Sequence, residues 1–145
     1  MKRIVYWSKA SLSFELNDLL KLAKEAMLKN EQYDVTGFLQ YKNNVFFQYL
    51  EGTSDNLNSI IGSISKDPRH QILRIIQLPS EQERLFSKWK MRYVEEDLIS
   101  PVGLPDLIND LLRKQDNPVY NDEYMVKRLL RLLEKLVIYY KSVSS

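Results

Sequence analysis

A chain of 145 residues has the length of one domain, or of a smaller domain with an appendage, and can bury a real core. Its 21 lysines and arginines against 19 aspartates and glutamates leave a net charge of +2, too weak a field to argue for nucleic acid or a membrane surface as partner. With no cysteine and one histidine, disulfides, thiolate zinc sites, a cysteine nucleophile and a metal site of several imidazoles are excluded.

The opening MKRIVYWSK lacks a long uncharged apolar region, and no run of about 18 apolar residues follows, so the expectation is a cytoplasmic chain that neither is secreted nor spans a membrane. Residues 3–8 read as a strand, with Ile4, Tyr6 and Ser8 on one face and Val5 and Trp7 on the other. Ser11 or Ser13 is placed to cap a helix in which Leu16, Leu19, Leu20, Ala23, Ala26 and Met27 recur at helical spacing; it should end near Lys29 and Asn30. A second strand over 36–41 turns at Asn43-Asn44 into a third over 45–52, VFFQYLEG, and the two form a hairpin. In the third strand Val45, Phe47 and Tyr49 face one way and Phe46, Gln48 and Leu50 the other. Both faces are largely apolar, so this strand belongs in the middle of a covered sheet.

Ser54 can cap a second helix carrying Leu57, Ile60, Ile61 and Ile64, which Asp67-Pro68 ends. Residues 72–78 form a fourth strand broken by Pro79, and 89–94 a fifth with Trp89, Met91 and Tyr93 on one face. The order βαββαββ fits an α+β, ferredoxin-like sandwich, with both helices on one face of a mixed sheet and right-handed crossovers where neighbouring strands are parallel. Val5, Trp7, Phe47 and Tyr49 would leave the second face as an apolar patch of roughly several hundred Å², which soluble monomers rarely expose. Two further stripes can cover it: Leu104, Leu107, Ile108, Leu111 and Leu112, then Met125, Leu129, Leu132, Leu133, Leu136, Val137 and Tyr140. The expected division is therefore a domain over 1–96 and a C-terminal helical pair over 97–145 that packs on the sheet or pairs with another subunit.

Gln48 is the polar group that this pattern leaves to be explained. Its amide reads either as a core glutamine satisfied by backbone or water, or as donors and a carbonyl aimed at a bound polar heterocycle. If the first and third strands are neighbours, Tyr6 lies beside it under the two helices. A phenol next to an amide in an apolar pocket can pass a hydrogen bond to a ligand, or the two can bond only to each other. No nucleophile, base pair or metal set supports an enzyme of this fold acting on a small organic substrate. The rival readings are a small-molecule-binding protein or an interaction module whose sheet is only a scaffold.

Five separated motifs in order carry a resemblance: IVYWSK with Tyr6, LKNEQYDVTGFLQY with Asn30 and Thr36-Gly37, FFQYLEG with Gln48, DPRH from Asp67 to His70, and WKM with Trp89 and Met91. Over roughly residues 2–95 the chain resembles the BLUF family of blue-light receptors that use FAD. The resemblance implies a non-enzymatic photoreceptor in which Tyr6 and Gln48 are the photoactive pair, with Trp89 and Met91 the fifth-strand pair of which either can face inward or outward. It further implies that Asn30 bonds the flavin ring, that Leu22 and Ile64 sandwich it, and that Arg69, His70 and Lys29 supply a cationic site for the FAD phosphates. As single charges, these three also read as a solvated face. Lys29 stands where many relatives have Asn or His, and Ala26 where a serine is frequent. A downstream signalling protein and a homo-oligomer are the partners implied.

Overall fold

The structure, a computed structural model, describes residues 1–94, 110, 113 and 121–144. The chain forms two compact units, Met1–Val94 and Glu95–Ser145. In the first, the elements are β1 (Lys2–Ala10), α1 (Leu16–Gln32), β2 (Thr36–Lys42), β3 (Val45–Gly52), α2 (Ser54–Ser65), β4 (His70–Leu78) and β5 (Lys90–Tyr93). The second contains the helix α3, Asp122–Ser144, on which Met125, Leu129, Leu132, Leu133, Leu136 and Tyr140 are buried. The stripe expected from Leu104 to Leu112 lies outside the described residues.

The five strands lie in the order β4-β1-β3-β2-β5. β1 pairs antiparallel with β3 and with β4, and β2 antiparallel with β3. Each helix crossover thus joins two parallel strands with another strand between them: β1–α1–β2 steps over β3, and β3–α2–β4 steps over β1. This interleaving is the ferredoxin-like α+β arrangement expected from the element order, and the parallel neighbours of the mixed sheet are β2 and β5. Gly37 on β2 lies so near β3 that a Cβ there would fall 1.9 Å from the Tyr49 carbonyl oxygen, so no other residue fits.

Both helix starts differ from expectation. The Ser11 hydroxyl donates to the Pro68 carbonyl (2.8 Å), and α1 begins instead at Glu15, whose N–H donates to the Asp18 carboxylate (3.1 Å). At α2 the cap is Thr53, whose hydroxyl oxygen accepts from the Asn56 N–H (3.4 Å), while Ser54 already lies within the helix.

All eight residues of β3 are buried. Its helix-facing side joins Ile4, Tyr6, Leu39, Phe46, Leu50 and Met91 to Leu19, Ala23, Leu57 and Ile60 in one core. On the other side Phe38, Phe47 and Tyr49 stack, and Phe86 and Trp89 pack edge-on to Phe38. Trp89 therefore does not share a face with Met91 and Tyr93, as strict alternation had required. Met91 has φ 149°, and the β2–β5 register shifts between Gly37 and Phe38, so β5 turns over at that point and sends Met91 inward and Trp89 outward.

Candidate functional site

Tyr6 and Gln48 are direct cross-strand partners on β1 and β3. Above them α1 and α2 leave a cavity of about 280 Å³ between their inner faces and the sheet. Its walls include every residue expected to hold a cofactor: Tyr6, Leu22, Lys29, Asn30, Gln48, Ile64, Arg69 and His70. Ala26 and Ile60 add to the aliphatic lining. Trp89 is not part of it; stacked on Phe86 at 5.2 Å with Arg92 over its ring, it belongs to the opposite face, and of the fifth-strand pair it is Met91 that turns toward Gln48.

The polar groups of the cavity are short of partners. Gln48 Nε2 donates to the Met91 sulfur at 3.0 Å, a weak acceptor for a buried amide. Asn30, held on the last turn of α1 where its carbonyl accepts from Val35 N–H (2.9 Å), is 3% exposed, and its Nδ2 has no partner among the described residues. A buried amide donor left open in an apolar wall costs about 1–3 kcal/mol, which a ligand acceptor in the cavity would recover. Burial pushes the Tyr6 phenol well above its usual range, and the nearby Asp67 charge adds to this, so Tyr6 is held protonated.

The cationic edge is more constrained than its sequence suggests. Arg69 is engaged by Asp67 (2.6 Å) and by Glu25 of α1 (3.0 Å), both also at the cavity wall. The hydrogen bond from Arg69 holds the Asp67 carboxyl below its ordinary value. His70 Nε2 lies 3.1 Å from the Ile64 carbonyl and Nδ1 2.6 Å from the Ser8 hydroxyl. A carbonyl can only accept, so Nε2 carries the proton and Ser8 donates to Nδ1. Burial lowers the His70 pKa and keeps the ring neutral. Of the three expected cations, Arg69 is ion-paired and His70 neutral, and Lys29 makes no ion pair among the described residues.

Sequence reasoning missed Glu25, to which it gave no role, and the Ser8–His70 bond. Ser8 had been placed on the Tyr6 face by alternation; no local pattern could bring it to a residue 62 positions away. It also missed Glu51, a fully buried carboxylate on the opposite face, bonded by Thr36, Tyr49 and the N–H groups of Leu85 and Phe86.

No helix among the described residues is long and apolar enough to cross a membrane, and no group of three or more His, Cys, Asp or Glu among them could hold a metal ion. Residues 1–92 match the family described as BLUF, sensors of blue-light using FAD. The chain is 33% identical over 102 residues to photoactivated adenylate cyclase subunit beta of Euglena longa, covering 69% of this chain and 12% of that protein. It spans only that small part of the curated relatives it matches. Among solved structures it is similar to BlsA in its photo-activated state, with a TM-score of 0.68 and 28% identity over 94% of each chain. It also shares the fold of BlrB, a BLUF protein in its dark state, with a TM-score of 0.69 and 23% identity over 95% of this chain and 96% of that one.

Proposed function

The chain belongs to the BLUF family of blue-light sensors, and from that premise we propose that the cavity between α1 and α2 holds FAD non-covalently and that Tyr6 and Gln48 convert light into a hydrogen-bond switch. The observation that carries this reading is the pairing of an orphaned Asn30 amide with an under-bonded Gln48 amide in one aliphatic cavity. A flavin ring fits that donor set: it offers acceptors to Asn30 Nδ2 and Gln48 Nε2, and flat faces to Leu22 and Ile64. Lys29 is left for the phosphates.

Bound flavin supplies absorption of blue light and, once excited, a place for an electron. The rest is done by side chains. Tyr6 would give up an electron and then its proton, the Gln48 amide next across the strand pair would relay the proton, and both would return to Tyr6, leaving Gln48 rotated or tautomerised. No bond in a substrate is made or broken, so the chain acts as a sensor and not as an enzyme. A turned amide can no longer donate from Nε2 to the Met91 sulfur, and that loss passes the event to β5.

The output reading follows the division at residues 96 and 97 expected from sequence. A small shift of β3 and β5 becomes a packing or homo-oligomer change that a downstream signalling protein in the cytoplasm reads. The direct test is an absorption spectrum: a flavin band that moves to the red under blue light and returns in the dark supports the reading. Tyr6→Phe should keep the flavin and lose the shift; a normal shift in that variant overturns the role of Tyr6.

A further inference from the structure

We propose that Glu51 is the positioning residue that fixes Met91 against Gln48, acting through residues 84–89; this deepens the switch reading and rests on it. Gln48 and Glu51 lie on opposite faces of the same strand, and the path between them closes through the sheet. The Glu51 carboxylate, 0% exposed, accepts from Thr36 Oγ1 (2.8 Å), Tyr49 Oη (2.7 Å), Leu85 N (3.0 Å) and Phe86 N (2.9 Å). Two successive backbone N–H groups aimed at one carboxylate form an anion nest, so the carboxylate sets the course of that backbone.

Arg84 ties the same segment from its other side. Its guanidinium donates to Thr36 Oγ1 (2.9 Å), to the Glu51 carbonyl (3.2 Å) and to the Asp34 carbonyl (2.6 Å). The chain then turns, with Trp89 N–H donating to the Phe86 carbonyl (3.1 Å) and the Phe86 and Trp89 rings stacked 16° from parallel. The Trp89 carbonyl accepts from Gly37 N–H (2.8 Å), and Met91 follows two residues on.

β5 has little of its own to hold this arrangement. It is four residues long, pairs with β2 through a shifted register, and carries Met91 at φ 149°, a conformation that a methionine keeps only when its surroundings impose it. The nest at Glu51 imposes it by fixing Phe86, against which Trp89 stacks; with Trp89 held on the outer face, Met91 is the residue turned inward. One strand thereby carries the amide that switches and anchors the sulfur the amide answers to.

The test uses the full chain with labelled methionine methyl groups, of which there are four, with Met91 assigned by Met91→Leu. In Glu51→Gln the side chain keeps its size but turns an NH₂ toward donors, so Leu85 and Phe86 amides should exchange with solvent at least about tenfold faster. The Met91 methyl should move in the dark and lose its light response, while flavin stays bound. Unchanged dark position and light response of that methyl, with the two amides released, would overturn the proposal and leave Glu51 a stability residue only. If Glu51→Gln does not fold, Tyr49→Phe removes one donor and leaves the carboxylate; a smaller Met91 shift in the same direction is expected, and none overturns the proposal. A wild-type sample without a flavin red shift would instead defeat the switch reading, and the dark Met91 position would still report whether Glu51 sets it.

Discussion

Gln48 and Glu51 stand three residues apart on β3, both buried and both polar, yet the sheet treats them in opposite ways. Glu51 receives four hydrogen bonds, two from side chains and two from successive backbone N–H groups, and is locked. Gln48 donates to a thioether, and the Asn30 Nδ2 at the same cavity has no partner among the described residues. The difference separates a polar group that builds the fold from one kept available for chemistry. A saturated network resists rearrangement, whereas an amide with weak partners can change them at little cost.

Removing the saturated group should have the largest effect. Glu51→Leu strands four donors in a dry interior, and we expect a stability loss of about 3–5 kcal/mol, read as a fall in the denaturant midpoint at constant slope. A loss under about 1 kcal/mol would mean that the network is looser than its geometry. The open side should cost less. Asn30→Ala should weaken flavin binding by about 1–3 kcal/mol, measured by titrating the apoprotein, since only the ring acceptor loses a partner. Equal affinity would remove Asn30 from the ligand set.

Gln48→Leu sharpens the comparison most cleanly. Replacing an under-bonded amide with an apolar group of similar size should change folding stability by less than about 1 kcal/mol while abolishing the red shift with flavin still bound. Retention of the wild-type shift would make the amide structural, like Glu51.

The smallest effect concerns pH. His70 has its pKa pushed below the ordinary 6.5, first by burial and also by Arg69, with Asp67 and the Ile64 carbonyl opposing. Below the ordinary value the unfolded chain therefore binds a proton that the folded chain refuses. Stability is whole above about pH 6.5 and falls as pH drops toward the lower folded value. Denaturant midpoints at about pH 7.5 and about pH 5.5 should differ more for wild type than for His70→Gln, in which the Ser8 and Ile64 partners face a group that does not titrate. Equal differences would place the acid-sensitive group elsewhere.

Much of this contrast was legible from residue order alone. Alternation along 3–8 and 45–52 put Tyr6 and Gln48 on one face, and the family resemblance named Leu22, Asn30, Ile64 and Arg69, side chains that the structure gathers at one cavity. Alternation failed at the fifth strand, because a single residue at positive φ turns the chain over and no period-two pattern encodes that. Glu51 was hidden for another reason. In sequence it is an acidic residue before a glycine and reads as a turn; its burial depends on Leu85 and Phe86, more than thirty residues away. Partners fixed by tertiary contact also decided the state of His70, since Ser8 and Ile64 O determine which nitrogen holds the proton.

The contrast between the two polar groups can be read in one spectrum, the light-minus-dark infrared difference of the flavin-loaded protein with isotope-labelled glutamine, compared with Gln48→Leu. The expected result is a set of label-sensitive amide bands that vanish in the variant, with no glutamate carboxylate band that Glu51→Gln removes. A difference spectrum indifferent to the glutamine label, or one led by the Glu51 carboxylate, would contradict it.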